Sequence, residues 1–322
     1  MIPKKLKQGD NIRIIAPADN LPPDFKEEQK QHGIKLLESL GLKVSFGKYL
    51  FESNNFSTTC VDKRLQDLHE AIADPQVHAL LSLTGGSSGN QLLKHLDYEM
   101  VKNNPKIFCG LSDNTEFTNA FYAKAGLVTY NGPNFTTLAM GRLVDYSLED
   151  MRKAFFSEEA YTIEPSTHYC DSKKDREIIG NEGHWTIQEG TAEGKCIGGN
   201  LLTCNFMLGN EFMPSIKDSI LFLEENHIID FKGVQKEIQE ILNHPDSNSI
   251  KGILIGRFQK ETGMTRELLT ELIHSKPELE NLPVIGNIDF GHTIPIVSIP
   301  FGGRLRFHAQ ADDKIKIEIL EH

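Results

Sequence analysis

The sequence predicts an α/β protein. Its first half reads as a doubly wound, flavodoxin- or Rossmann-like layer sandwich, and its second half as a mixed α/β domain with a small sheet or barrel. Three observations carry this. Short apolar runs alternate with stretches of helical periodicity from Asn11 to Tyr130, the pattern of βαβ units. Residues 77–83 are apolar enough to be buried on both faces, as in a parallel sheet. A chain of 322 residues favours two domains over one. The expected division is 1–165 and 166–322, with the polar stretch 164–185 as linker and mobile loop.

The elements follow in order. Residues 11–16 form a first strand closed by Pro17, and a loop runs over 18–23. Residues 25–40 carry helical spacing at Ile34, Leu36, Leu37 and Leu40, and Gly41 stops them. A strand at 42–46 precedes an amphipathic helix at 61–73, built on Leu65, Leu68 and Ile72 and ended by Asp74-Pro75. After the strand at 77–83 comes a Gly-Gly loop, then a helix at 91–96. Further strands are expected at 107–109 and 127–130, around a helix that begins near Asp113. In the second half, Gly198-Gly199-Asn200-Leu201 opens a short helix. Strands at 219–223, 250–255 and 283–288 alternate with helices at 234–242 and 265–274, and short strands fill 294–320.

Composition narrows the function. With 39% hydrophobic and 25% charged residues the chain has ample material for a core. A net charge of −11 argues against tracking nucleic acid or an anionic membrane, which needs clustered Lys and Arg. The lysines near the start precede no apolar signal region, and no run approaches the roughly 20 apolar residues of a membrane span. The five cysteines have no Cys-x-x-Cys or framework spacing, so they read as reduced, mostly core-filling thiols. These readings place the protein in the cytoplasm.

The chemistry centres on 106–116. A short strand stops at Gly110, Ser112 follows, and Asp113 with Glu116 has capping-box spacing. Ser112 should therefore sit on a sharp strand-to-helix turn with the N–H of Asp113 beside it, the arrangement of a nucleophile elbow and half an oxyanion hole. The motif is Gly-x-Ser-x-Asn rather than Gly-x-Ser-x-Gly, and an ordinary capping serine fits it as well. Gly85-Gly86-Ser87-Ser88-Gly89-Asn90 is neither a Walker loop nor Gly-x-Gly-x-x-Gly. It suits either a tight turn or a second oxyanion donor.

A nucleophilic serine needs a base, and the base an orienting acid. Of the twelve histidines, His292 follows a buried strand beside Gly291, whereas the rival His227 lies in a charged loop. Glu224 and Glu225 end the apolar strand at 219–223, and one of them can face the site. No metal-ligand spacing is present.

Taken together, these segments resemble the LD-carboxypeptidase family of serine peptidases, and within it the microcin C self-immunity branch. The likeness runs through Gly9-Asp10-x-Ile12-x-Ile14-x-Ala16-Pro17, Arg64-x-x-Asp67-Leu68-His69, Gly85-Gly86, Gln91-Leu92-Leu93 and Pro105-Lys106-Ile107-Phe108-x-Gly110-x-Ser112-Asp113. It continues through Gly198-Gly199-Asn200-Leu201, Ile220-Leu221-Phe222-Leu223-Glu224, Gly256-Arg257-Phe258 and Gly291-His292-Thr293. The resemblance implies a triad of Ser112, His292 and Glu224, and oxyanion donors at Asp113 and Gly86. It implies substrate contacts at Gly85, Ser87 and Trp185, no cofactor or metal, and a homodimer. Its members cut an amide next to a carboxylate or carboxylate-like group. The immunity branch takes peptidyl or aminoacyl nucleotides, and the other branch murein tetrapeptides ending in D-alanine. Thr84 and Ser87, where the murein branch has Arg and Tyr, favour the immunity branch. A non-catalytic protein binding a small molecule in the same cleft is the reading of another class.

Overall fold

The computed structural model describes residues 1–21, 24–175 and 177–322. Pro22 and Pro23 of the first expected loop, and Arg176 of the expected linker, lie outside the described residues. The first half runs β1 (Asn11–Ile15), α1 (Glu27–Ser39), β2 (Lys43–Phe46), α2 (Val61–Ala73), β3 (Ala79–Ser82), α3 (Tyr98–Asn103), β4 (Ile107–Gly110), α4 (Thr115–Ala125), β5 (Thr129–Asn131), α5 (Phe135–Met140) and α6 (Val144–Phe156). The second comprises β6 (Tyr161–Thr162), β7 (His168–Tyr169), β8 (Ile179–Gly180), β9 (Trp185–Gln188), β10 (Gly190–Asn200), α7 (Leu201–Met207), β11 (Ser219–Glu224), α8 (Phe231–Leu242), β12 (Gly252–Gly256), α9 (Arg266–His274), β13 (Val284–Ile288), β14 (Ile299–Phe301), β15 (Arg304–Gln310) and β16 (Lys314–Glu321).

The first sheet has the order β14-β5-β4-β3-β1-β2. β1 to β5 are parallel and β14 is antiparallel at the edge. Strand alternation sends side chains to two separate cores. Ile12, Ile14, Leu81, Ile107 and Cys109 pack with Leu37, Phe135 and Phe155 of α1, α5 and α6. Ile15, Leu80 and Phe108 pack with Leu68, Phe117 and Phe121 of α2 and α4 on the other face. Helices therefore cover both faces, as the apolar strands require. In this strand order the chain reverses direction between β1 and β3, and ligands bind outside the carboxyl ends of such strands. The loops after β1, β3 and β4 all emerge there.

The second sheet has eight strands, in the order β6-β16-β15-β10-β11-β12-β13-β9. It is larger than the small sheet expected and it curls. The N–H of Thr186 in β9 donates to Asp313 Oδ1 at 2.8 Å, beside the β15–β16 turn. Its inner face holds Phe222, Leu254, Ile285, Phe301, Phe307 and Ile317. α8 and α9 close the other face through Val234, Ile238, Leu269 and Ile273.

The chain crosses the expected division at 165 in both directions. β6 lies before it and joins the second sheet, while β14 comes from the second half and joins the first. The described residues of the stretch expected as a linker are tied down at several points. Ser166 donates through N–H and hydroxyl to Asp289 at 2.7 Å each, Cys170 bridges Ile294, and β7 pairs with β8. The expected helix at 91–96 is a 3₁₀ segment, Gly89–His95.

Candidate active site

Ser112 sits at the carboxyl end of β4, on a 3₁₀ turn (Ser112–Asn114) that leads into α4. Its φ is +67°, the left-handed region that a residue with a Cβ seldom occupies. Holding it there costs about 1–3 kcal/mol, so the surroundings must over-determine the turn. They do. Asn114 Nδ2 donates to Thr84 O at 2.9 Å and Leu111 O at 3.0 Å, and Leu111 N–H donates to Asn134 Oδ1 at 2.9 Å. Gly110 is required because a Cβ there would lie 2.7 Å from the Asn114 Cβ. The asparagine of Gly-x-Ser-x-Asn is thus a brace for the elbow.

The capping box does not form. Asp113 Oδ2 instead accepts the N–H groups of Ser88 and Gly89, at 3.0 and 2.8 Å, and ties the Gly-Gly loop to the elbow. Glu116 is buried with Oε2 unpartnered among the described residues. Burial first, and the Asp113 charge second, push its pKa up to about 9. The 3₁₀ turn causes both departures, since it delays the start of α4 and turns these carboxyls inward.

Gly85 backs onto Ser112, where an added Cβ would come 3.0 Å from Oγ. Gly86 has φ +154°, and a Cβ would strike the Asp19 carboxylate at 2.3 Å. Asp19 Oδ1 accepts Ser87 N–H at 3.3 Å and the Ser88 hydroxyl at 3.0 Å. Arg64 reaches Pro17 O and Ser88 O from beneath, both at 3.0 Å. The glycine loop is therefore fixed by side chains from three other segments.

His292 follows β13 in a turn braced by a buried ion pair. Arg257 Nη2 meets Asp289 Oδ1 at 2.7 Å, and Arg257 also donates to Asn287 Oδ1 and Thr293 Oγ1. His292 Nδ1–H donates to Glu224 Oε2 at 2.6 Å. Gly291, at φ +105°, leaves room for this, because a Cβ would lie 2.7 Å from that same oxygen. Burial opposes the imidazolium, but Glu224's charge and hydrogen bond, with Glu225's charge, outweigh it and raise the His292 pKa above its ordinary 6.5. Glu224 and Glu225 are both buried, so neither is a solvated turn residue. They diverge as strand alternation requires. Glu225 caps α7 through Leu202 N–H at 3.0 Å and leaves His292 to Glu224.

Asn200, which sequence reasoning passed over, links the halves of the site. Its Nδ2 donates to Glu224 Oε1 at 3.2 Å and Glu225 Oε1 at 2.9 Å. Its N–H donates to Thr115 Oγ1 at 3.1 Å, at the first residue of α4. Its sequence signals were its place after Gly198-Gly199 at the opening of α7, which it caps by accepting Thr203 N–H, and the motif carrying the resemblance.

Ser112, His292, Gly85 and Gly86 line one cavity of about 560 Å³, with Asp19, Asn134, Lys173, His227 and Ile228 among its other walls. His227, the rival, lies in that wall, but its ring nitrogen is held by Gln259 at 2.9 Å. Two expected contacts fall outside the lining. Ser87 is exposed and spends its N–H on Asp19. Trp185 lies in β9 and borders a different cavity with Tyr169, Arg257 and Asn287, because pairing with β13 fixes its position. Among the described residues no cluster of three or more His, Cys, Asp or Glu is placed to hold a metal, and no helix is long and apolar enough to cross a membrane.

Comparison with known proteins gives the family. Residues 12–132 match the LD-carboxypeptidase N-terminal domain and residues 193–307 its C-terminal domain. The chain belongs to the LD-carboxypeptidase family. It is accordingly a hydrolase of the serine-type carboxypeptidase class. YocD of Bacillus subtilis (strain 168) is 40% identical over 314 residues, covering 96% of both chains. The crystal structure of an MccF-like protein from Bacillus anthracis superposes with a TM-score of 0.96 at 40% identity, covering 100% of each chain. The microcin C7 self-immunity protein MccF of Escherichia coli is 28% identical over 293 residues, covering 85% of this chain and 83% of its own. MccF bound to aspartyl sulfamoyl adenosine superposes with a TM-score of 0.88 at 26% identity, covering 100% of this chain and 99% of that one.

Proposed function

We propose that this LD-carboxypeptidase family member hydrolyses an amide by acyl transfer through Ser112, His292 and Glu224, on a peptidyl- or aminoacyl-nucleotide substrate. The observation that carries the reading is a strained serine and a carboxylate-held histidine opening into one cavity. Glu224 occupies Nδ1 of His292, which leaves Nε2 as the nitrogen able to take a proton.

Ser112 Oγ attacks the amide carbonyl and its proton passes to His292. The carbonyl oxygen gains negative charge, and the N–H groups of Asp113 and Gly86 receive it. Collapse breaks the C–N bond, and the amine leaves with the proton from His292. Water then adds to the acyl-serine, gives its proton to His292, and releases the acid and free Ser112. Glu224 keeps its hydrogen bond to Nδ1 throughout and stabilises the imidazolium.

The substrate class rests on the MccF-like relatives, above all MccF bound to aspartyl sulfamoyl adenosine. A second reading, removal of D-alanine from a murein tetrapeptide, is supported by the murein tetrapeptide carboxypeptidase of Pseudomonas aeruginosa, 26% identical over 251 residues. Offering both substrates to one preparation separates the two readings by which product forms. Turnover of either, abolished by Ser112→Ala, argues against a merely binding role. The resemblance also leads us to read the chain as a cytoplasmic homodimer, and sedimentation equilibrium checks the dimer.

A further inference from the structure

The charged side chains lining the Ser112 cavity are Asp19, Lys173, Lys174, His227 and His292. Four of them are already engaged. Asp19 holds Ser87 and Ser88, Lys174 pairs with Asp24 at 2.7 Å, His227 is held by Gln259, and His292 by Glu224. Lys173 differs. Its Nζ donates to the neutral Thr136 Oγ1 at 3.1 Å, and no carboxylate pairs with it among the described residues. An ammonium has three donors, so two remain for a ligand.

Its position is set from several sides. Cys170 is hydrogen-bonded in both directions to Ile294, two residues beyond His292. Asp171 accepts Lys260 N–H at 2.9 Å, and Lys174 and Glu177 form ion pairs with Asp24 and Lys260. Thr136, its one partner, lies in α5 and is anchored by its own N–H to Leu83 O, just before the glycine loop. Leu21, Leu111, Ile228, Ile294 and Ile296 supply the apolar wall of the cavity it lines. A half-buried, unpaired cation beside apolar surface is costly unless an anion joins it. Burial first, then Lys174, push its pKa down to about 8, and Asp24 opposes this.

We propose that Lys173 is the specificity residue that binds the free carboxylate of the substrate in the cavity shared by Ser112 and His292. The inference deepens the hydrolase reading and rests on it for the identity of the reacting bond. The carboxylate could be the terminal one of a peptide or the side chain of an aspartyl group. Either would accept the two remaining N–H donors.

The test is calorimetric binding to the Ser112→Ala protein with four probes. They are a murein tetrapeptide ending in D-alanine, its C-terminal amide, aspartyl sulfamoyl adenosine, and the asparaginyl counterpart. Each pair differs only in carboxylate against carboxamide. The expected result is that one acid binds about 10- to 100-fold more tightly than its amide, the range of a charge-assisted hydrogen bond. The pair that shows this identifies the source of the carboxylate. Adding Lys173→Met should bring the ratio to about one at an unchanged melting temperature, and Lys173→Arg should keep part of it. Equal binding of acid and amide, selectivity that survives Lys173→Met, or no binding of any probe would overturn the proposal. Hydrolysis is read separately with Ser112 intact. Acid-selective binding without turnover would contradict the hydrolase reading and leave the role of Lys173 standing.

Discussion

Glu224 and His292, 68 positions apart, meet at 2.6 Å, with the carboxylate fully buried and the imidazole side chain 21% exposed. One ends a strand in the middle of the second sheet, and the other follows a strand two places along it. A buried carboxylate needs a partner. Here it has two, the imidazole and the Asn200 amide. The arrangement fixes the ring, orients its free nitrogen and raises its basicity.

The pH dependence follows. In the proposed mechanism His292 is the base and must be neutral to act, and Glu224 raises its pKa above 6.5. The acid limb of kcat/KM should therefore have its midpoint above 6.5. Glu224→Gln removes that charge, so the limb should move to lower pH. kcat should also fall by about 10⁴, the order seen when the orienting acid of another serine triad is made neutral. A limb that stays in place in Glu224→Gln would mean that another group titrates.

Gly85→Ala would push a Cβ to 3.0 Å from Ser112 Oγ and 2.8 Å from its Cβ. Displacement by a fraction of an ångström at a reacting atom is expensive, and we expect kcat to drop about 10²-fold. The melting temperature should fall as well, because the 2.8 Å approach to the Ser112 Cβ forces the elbow or the glycine loop to shift. Unaltered turnover would show that the serine does not use this position.

The Arg257–Asp289 pair is buried on both sides, at 4% and 0% side-chain exposure. Replacing Arg257 with Met leaves the Asp289 carboxylate without its cation, a change that costs about 3–5 kcal/mol. Denaturant titration measures the loss. Because the pair supports the 289–293 turn, activity should fall before the protein unfolds.

Glu116 gives an independent reading from stability. Its folded pKa, near 9, lies above the ordinary 4.5. The folded state thus holds a proton that the unfolded chain releases near 4.5. The stabilisation is full below pH 4.5 and is lost as pH rises through 9. Glu116→Gln stays neutral throughout, so its melting temperature should gain on the wild type steadily between those values. Parallel curves would contradict the assignment of a neutral Glu116.

Much of this was legible from local pattern, and the failures have physical causes. α2 was read at its true bounds because Leu65, Leu68 and Ile72 form one stripe and Asp74-Pro75 stops it. α5 gave no signal because all six of its residues are buried, which erases amphipathic contrast. β10 was missed because Gly190, Gly194, Gly198 and Gly199 dilute its strand character. Two of those glycines are needed for close approach to Phe222 O and to Thr115. Ser112 and His292 stood out because each follows an apolar strand, whereas the choice of Glu224 over Glu225 came from the resemblance. Asn200 and Lys173 did not stand out, since their roles depend on pairings distant in sequence, as with Cys170 and Ile294. The resemblance offered Trp185 as a wall of the substrate pocket, with a packing anchor at the domain junction as the alternative; strand pairing holds it in β9, with Arg266 over its ring.

The most direct measurement is hydrolysis by wild type and Ser112→Ala of a tetrapeptide ending in D-alanine and of aspartyl sulfamoyl adenosine, side by side. The account predicts that the wild type cleaves the adenylate analogue. Ser112→Ala should not cleave it, while melting at the same temperature as the wild type. A Ser112→Ala protein with full activity would contradict the central claim outright.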